Sequence, residues 1–413
     1  MINRRDFLKY LSIAASTAIL PTSIMAATGG VKRVIVVGGG YAGSTCAKYL
    51  KMWGGSSVDV VLIEPNANYV SPILSNLVLN GQKSISDLTF SYAPHANKYK
   101  INVIHKSVTS INANAKSITL NDGTTLSYDR LVLAPGIDFI KPNNYDFNKI
   151  PHAWIAGHQT QILKAQIDTL QNGDTFVMSI PKAPYRCPPG PYERACVVAD
   201  YLKNAKGLSV NIIVLDENAD FTVEKETFST AFNIYGIQYI PNAKVTNVDD
   251  ANMQITYNNT QTISAKVINV IPNQRAANIV ISSGLADGSG FAPVNLLSYE
   301  STIKPNIHII GDSHKSKQPK AGHIGNNEAK ICADAILRLL NGQQPFDAPK
   351  TNSACYSPIS RSQASWLVAV YRYDSATGQM VLAGAYPKSG APSARNYSDM
   401  FKWSGNLFSD TFM

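Results

Sequence analysis

The chain has 413 residues, 45% hydrophobic and 16% charged, an ordinary globular composition on a length that exceeds what one core usually serves, so two or three domains are expected. Its formal charge of +9 is scattered, with no Lys/Arg block of the kind that tracks a phosphate backbone. This argues against a nucleic-acid partner and leaves a bias toward an anionic partner or substrate.

The first 27 residues, MINRRDFLKYLSIAASTAILPTSIMAA, carry a twin-arginine stretch at Arg4 and Arg5, a modest apolar run broken by Pro21, and small residues near Ala26 and Ala27. They read as a Tat export signal over 1–27, which places the mature protein in the periplasm. The run is too short for a stable membrane span, and no later run is long or apolar enough to provide one.

Residues 32–50, KRVIVVGGGYAGSTCAKYL, predict a β-branched strand, a Gly38-x-Gly40-x-x-Gly43 turn and an Ala-containing helix. A second strand, VDVVLIEP, closes on Glu64, about twenty residues beyond the turn, as a dinucleotide-binding unit requires. Gly38 permits the tight turn, Gly40 lets a pyrophosphate reach the helix N-terminus, Gly43 lets helix pack on strand, and Glu64 can accept from ribose hydroxyls. Further on, YDRLVLAPGIDFI ends a buried strand in Ala134-Pro135-Gly136, and NIHIIGDSHK ends another in Gly311-Asp312. This series resembles the FAD-binding domain of the two-dinucleotide-domain flavoprotein disulfide reductases. The resemblance implies FAD, with Asp312 on its ribityl chain and Ala134 and Gly136 in the adjoining turn. It also implies an α/β fold of two Rossmann-like domains, the second inserted in the first, followed by a small C-terminal α+β domain. The expected ranges are 31–148 and 268–346 for the FAD domain, 149–267 for the insertion and 347–413 for the C-terminal domain.

The insertion repeats strand, loop, helix and strand in TFVMSI, PYRCPPGPYERAC and VNIIVLDE, but its phosphate loop is filled with prolines. Pro188 and Pro189 lack the N–H donors a pyrophosphate needs, and Gly190 alone is free in backbone conformation. The second unit is therefore expected to have lost its NAD(P)H site. Of five cysteines, Cys46 and Cys332 fall in Ala-rich helical stretches and read as small core residues. Cys187, Cys196 and Cys355 remain as candidates for redox chemistry.

Five segments carry a more specific resemblance: CPPGPYERA (187–195), PHAWIAGHQT (151–160), VINVIPNQRA (267–276), SACYS (353–357) and the terminal DTFM (410–413). They resemble the flavoprotein subunit of flavocytochrome c sulfide dehydrogenase across essentially the whole mature chain. The resemblance implies a redox-active Cys187–Cys355 disulfide beside the flavin, Glu193 as active-site base, sulfide as substrate and a separate c-type cytochrome subunit as electron acceptor. No C-x-x-C-H occurs, so the chain attaches no haem of its own, and no metal is expected. Glu193 should lie in the first turn of a helix, where the dipole favours its anion and burial opposes it. Some members of that family attach FAD through a cysteine that corresponds here to Pro72 of EPNANYVSPILSN, so noncovalent FAD is expected. Two alternatives stand beside this reading, a sulfide:quinone oxidoreductase-like enzyme and a non-catalytic flavin subunit of a sulfur-oxidising complex. The first would call for an amphipathic C-terminal anchor, whereas KSGAPSARNYSDMFKWSGNLFSDTFM reads as polar, Gly/Ser-rich and poorly amphipathic. Trp366, Tyr371, Tyr373 and Trp403 of the tail read as core.

Overall fold

The run KRVIVV becomes β1 (Lys32–Val37), whose last four residues are buried, as expected of a central parallel strand covered on both faces. The computed structural model describes residues 30–385 and 387–413, so the leader expected over 1–27 lies outside the described residues. From β1 the chain passes through α1 (Tyr41–Gly54) to β2 (Val58–Ile63), which pairs with β1 in parallel, Val34 facing Val60 and Val37 facing Ile63. A short helix α2 (Asn76–Leu79) precedes β3 (Asn102–Ile104), which extends the sheet beyond β2. On the other side of β1 lies β4 (Arg130–Leu133), also parallel.

β5 (Ile137–Ile140) then leaves this sheet, and the chain builds a second unit before returning. Helix α3 (His158–Asp168) leads to β6 (Thr175–Ile180), α4 (Gly190–Asp200), β7 (Asn211–Asp216), α5 (Lys225–Tyr235), β8 (Gln238–Ile240) and β9 (Val267–Val270). The four strands form a parallel sheet in the order β8-β7-β6-β9. This repeats the first unit: a central strand joins its successor through a helix and is flanked on its other side by a later strand. The return strand β10 (Asn273–Ala276) pairs antiparallel with β5. β11 (Ile307–Ile309) lies parallel to β4 in the first sheet, and α6 (Gly322–Leu340) follows it. The fold is thus α/β with two Rossmann-like units, the second nested in the first.

A three-stranded antiparallel sheet of β12 (Lys350–Pro358), β13 (Ala364–Asp374) and β14 (Gln379–Leu382) begins the C-terminal part, with Cys355 opposite Leu367. It ends in α7 (Ala394–Phe412), whose first turn is capped by Ser393 Oγ accepting from the Asn396 N–H. Here the structure corrects the reading of the tail as poorly amphipathic. Met400, Ser404, Leu407, Phe408, Thr411 and Phe412 form one buried stripe, packed with Tyr41, Leu74, Leu77, Val78 and Leu88. Two of the six positions hold a small hydroxyl residue, and this hid the helical period. Lys48 Nζ donates to the carbonyls of Asp410 and Met413, both at 2.8 Å, placing a cation at the helix C-terminus where the dipole favours one. Among the described residues no helix is long and apolar enough to cross a membrane.

Candidate active site

The turns at the carboxyl ends of β1, β2, β4 and β11 meet at one edge of the first sheet, where open α/β folds bind their ligands. Gly38 has φ +100°, and a side chain there would drive into the Ala134 carbonyl, 2.4 Å from a hypothetical Cβ. At Gly43 a Cβ would fall 1.8 Å from the Gly38 carbonyl oxygen, so only glycine lets α1 start this close to β1. The Gly136 carbonyl accepts from the Ala277 N–H at 3.1 Å and from Ser313 Oγ, which ties the Ala134–Gly136 turn to the Gly311–Asp312 turn. Gly311 donates its N–H to Glu328 Oε2 at 2.9 Å, and Glu328 Oε1 lies 2.8 Å from His314 Nε2, both groups buried.

The residues fit an FAD. Gly40 caps α1 with no side chain on the helix N-terminus, leaving its first amides for a pyrophosphate. Glu64 accepts from the Gly39 N–H at 2.9 Å and, through its other oxygen, from Asn66, and it retains acceptor capacity for ribose. Burial pushes the Asp312 carboxyl upward against the pull of Arg186 and Lys320, and among the described residues its carboxylate makes no hydrogen bond. Ribityl hydroxyls would supply one.

The second unit presents the opposite picture at the equivalent place. Asp216, at the end of β7, is fully buried and accepts from Tyr192 Oη at 2.7 Å, Tyr239 Oη at 2.8 Å and both nitrogens of Asn218. Phe221 stacks on Tyr239 with ring centroids 4.3 Å apart and lies 5.0 Å from Tyr192, so aromatic rings surround this carboxylate.

Between these two edges lies an open pocket lined by Cys187, Cys355, Glu193, Trp154, His323 and Trp403 among others. The proline loop delivers Cys187 with φ +57°, in the left-handed region, its N–H bonded to the Lys320 carbonyl at 2.7 Å and its carbonyl accepting from the Gly190 N–H at 2.9 Å. Gly190 is needed for this: a Cβ there would stand 2.9 Å from Cys187 Sγ and 2.8 Å from the Trp154 ring. Cys355 comes from β12, held to α6 through the neighbouring Ala354 N–H, which donates to His323 Nδ1 at 3.0 Å, and to the second unit through Glu224, which accepts from Ser357 at 3.0 Å and Ser365 at 2.7 Å. All five cysteines are free thiols, so the bond implied between Cys187 and Cys355 is not formed here, although both line one cavity. Burial raises both thiols, Cys355 to about 12 and Cys187 well above its ordinary value. Cys196 lies elsewhere, in the core of the second unit.

Glu193 occupies the first turn of α4, and burial prevails over the helix dipole: its carboxyl is pushed up to about 8. Two residues around it, Asn76 and Arg194, carry no mark of this role in the sequence. Asn76 of α2 donates through Nδ2 to Glu193 Oε1 at 2.8 Å and accepts through Oδ1 from Arg194 Nε at 3.0 Å. Arg194 is buried among neutral acceptors, donating also to the carbonyls of His152 and Ala153 and to Asn269 Oδ1, and its guanidinium lies 5.0 Å from the Trp154 ring centre. Arg194 directly follows Glu193 in the sequence, but a charged residue one step along a helix gives no sign of facing the protein interior. Ser71, beside Pro72, has its hydroxyl engaged with Tyr41 Oη at 2.7 Å and the Ile73 carbonyl at 3.0 Å. Among the described residues no cluster of His, Cys, Asp and Glu could hold a metal.

Residues 160–272 match the family profile of the central part of the flavocytochrome c sulfide dehydrogenase flavoprotein chain, and residues 32–167 match that of the pyridine nucleotide-disulphide oxidoreductases. The mitochondrial sulfide:quinone oxidoreductase of Mus musculus is 22% identical over 78% of this chain and 74% of its own length. That of Dictyostelium discoideum is 21% identical over 83% and 78%. Among solved structures, the sulfide:quinone oxidoreductase of Aquifex aeolicus superposes with a TM-score of 0.78 at 17% identity, covering 92% of both chains.

Proposed function

From the premise of a flavoprotein oxidoreductase of the disulfide-reductase type, with FAD as its cofactor, we propose that this chain is a periplasmic sulfide dehydrogenase whose electrons leave to a c-type cytochrome subunit. The observation that carries the reading is the shared cavity that Cys187, Cys355 and the buried Glu193 line together. FAD, when bound, supplies a two-electron acceptor.

The chain's own residues bring sulfide to the cysteines. While Glu193 holds its proton, below about pH 8, the Arg194 charge beside it is uncompensated, and the cavity attracts a small anion. With Cys187 and Cys355 joined, a hydrosulfide sulfur attacks one cysteine sulfur. The new S–S bond forms as the old one breaks, leaving a persulfide on one cysteine and a thiolate on the other. Burial disfavours that thiolate, and Glu193 is placed to exchange a proton through Oε2, the oxygen Asn76 leaves open.

The alternative acceptor is quinone, a reading supported by the two mitochondrial relatives described above, which are sulfide:quinone oxidoreductases. Against it stands α7, whose apolar stripe is packed inside the protein instead of being turned outward to enter a bilayer. Steady-state sulfide oxidation with a soluble c-type cytochrome or a water-soluble quinone tests the proposal. Cytochrome reduction with little quinone turnover is expected, and the reverse preference overturns it.

A further inference from the structure

Helices α1 and α6 run side by side in parallel and open at the flavin edge, α1 from Gly40 and α6 just beyond Ala321. Their early turns touch closely: a Cβ at Gly325 would stand 3.3 Å from that of Ala42, and Asn326 Nδ2 donates to Thr45 Oγ1 at 2.9 Å. Their far ends touch as well, where a Cβ at Gly54 would stand 2.8 Å from Leu337 Cδ2. Cys46 lies one turn beyond Ala42 and Cys332 two turns beyond Gly325. Spacings of four and seven residues return to one helix face, so each cysteine lies on the stripe through which its helix meets the other. Both residues are fully buried in one apolar cluster, and the Cys332 thiol is raised by burial first and by direct contact with the Cys46 thiol second. Neither takes part in the chemistry proposed above.

We propose that Cys46 and Cys332 form a second dithiol couple, separate from Cys187 and Cys355, which closes to a disulfide stapling α1 to α6 and so holds the flavin edge together. The closing reagent is a low-molecular-weight disulfide. The Cys46 thiol loses its proton and attacks one sulfur of the reagent, releasing one reagent thiolate. Cys332, likewise deprotonated, attacks the resulting mixed disulfide at the Cys46 sulfur and releases the second. Two protein thiols are oxidised, one reagent disulfide is reduced to two thiols, and the two protons pass to the released thiolates. Because both sulfurs are buried, exchange proceeds only through transient separation of the two helices and is slow. Once formed, the bridge closes a loop spanning most of the chain, the case in which a cross-link most restricts the unfolded state.

The test incubates the FAD-loaded full chain for days with glutathione disulfide, then denatures it in alkylating reagent and maps the peptides without reduction. The expected result is a linked peptide pair containing Cys46 and Cys332, two hydrogen atoms lighter than the separate peptides. The melting temperature should rise by roughly 5 °C, with FAD released at higher urea. The rise should be absent in Cys46→Ala and in Cys332→Ala, two substitutions that keep a small apolar side chain. Should either variant fail to fold, peptide mapping of the unsubstituted protein decides alone. Full alkylation of both cysteines after incubation overturns the proposal, as does a linked pair with no change in melting temperature or flavin retention. None of these readouts involves sulfide, so failure here is distinguishable from failure of the sulfide reading.

Discussion

Asn76 Nδ2 donates to Glu193 Oε1 at 2.8 Å while its Oδ1 accepts from Arg194, so one amide on a short helix governs both charged groups beside the cysteines. The bond to Asn76 lowers the Glu193 carboxyl against the larger upward effect of burial. Asn76→Ala should therefore move the Glu193 titration above about 8, seen as an alkaline shift in the pH profile of flavin reduction by sulfide. The variant should lose about 1–3 kcal/mol of stability, because Arg194 Nε is left buried without its acceptor. An unmoved profile would remove Asn76 from the site.

Glu193 itself sets a pH window. A carboxyl held at about 8 when folded, against 4.5 ordinarily, binds its proton more tightly in the native state. Its contribution to stability is complete below about pH 4.5 and is lost as pH rises through about 8. Glu193→Gln should flatten the loss of stability across that window and slow flavin reduction by roughly 10²-fold or more. Full activity in the variant would reduce Glu193 to a structural role.

NADH and NADPH should not reduce the flavin at a useful rate. Asp216 is already saturated by Tyr192, Tyr239 and Asn218, and the loop before α4 offers prolines where amides are needed. Stopped-flow mixing with either nucleotide below a millimolar checks this, and rapid bleaching would contradict it.

FAD should come away from the polypeptide on acid denaturation and filtration. Pro72 has no nucleophile, and Ser71 is buried with its hydroxyl spent on Tyr41 and Ile73. Yellow colour retained by the protein would refute noncovalent binding.

The sequence made the paired units legible because each is written in local terms: β-branched runs, glycines at a turn and an acid at a strand end. The proline loop was legible for the same reason, since a missing N–H is a property of the residue itself. What escaped was set by tertiary packing. Arg194 and Asn76 are polar residues whose burial depends on elements far apart in the chain, and only the fold shows that they share a partner. The direction of the Glu193 shift likewise turned on burial, which no spacing reveals. In α7, Ser404 and Thr411 fill buried positions that a search for apolar residues passes over.

The most direct test of the central claim is an anaerobic visible spectrum of the FAD-loaded protein before and after sulfide. The account predicts that the oxidised-flavin band bleaches in the unsubstituted protein and in Cys196→Ser, whose thiol lies in the core away from the cavity. It predicts no bleaching in Cys187→Ser or Cys355→Ser, each of which removes half of the attacked bond and leaves every flavin-binding residue in place. An unsubstituted protein whose flavin stays oxidised under sulfide would contradict the account and leave a flavin-binding subunit without turnover. Bleaching that survives loss of Cys355 but not of Cys196 would contradict the pairing.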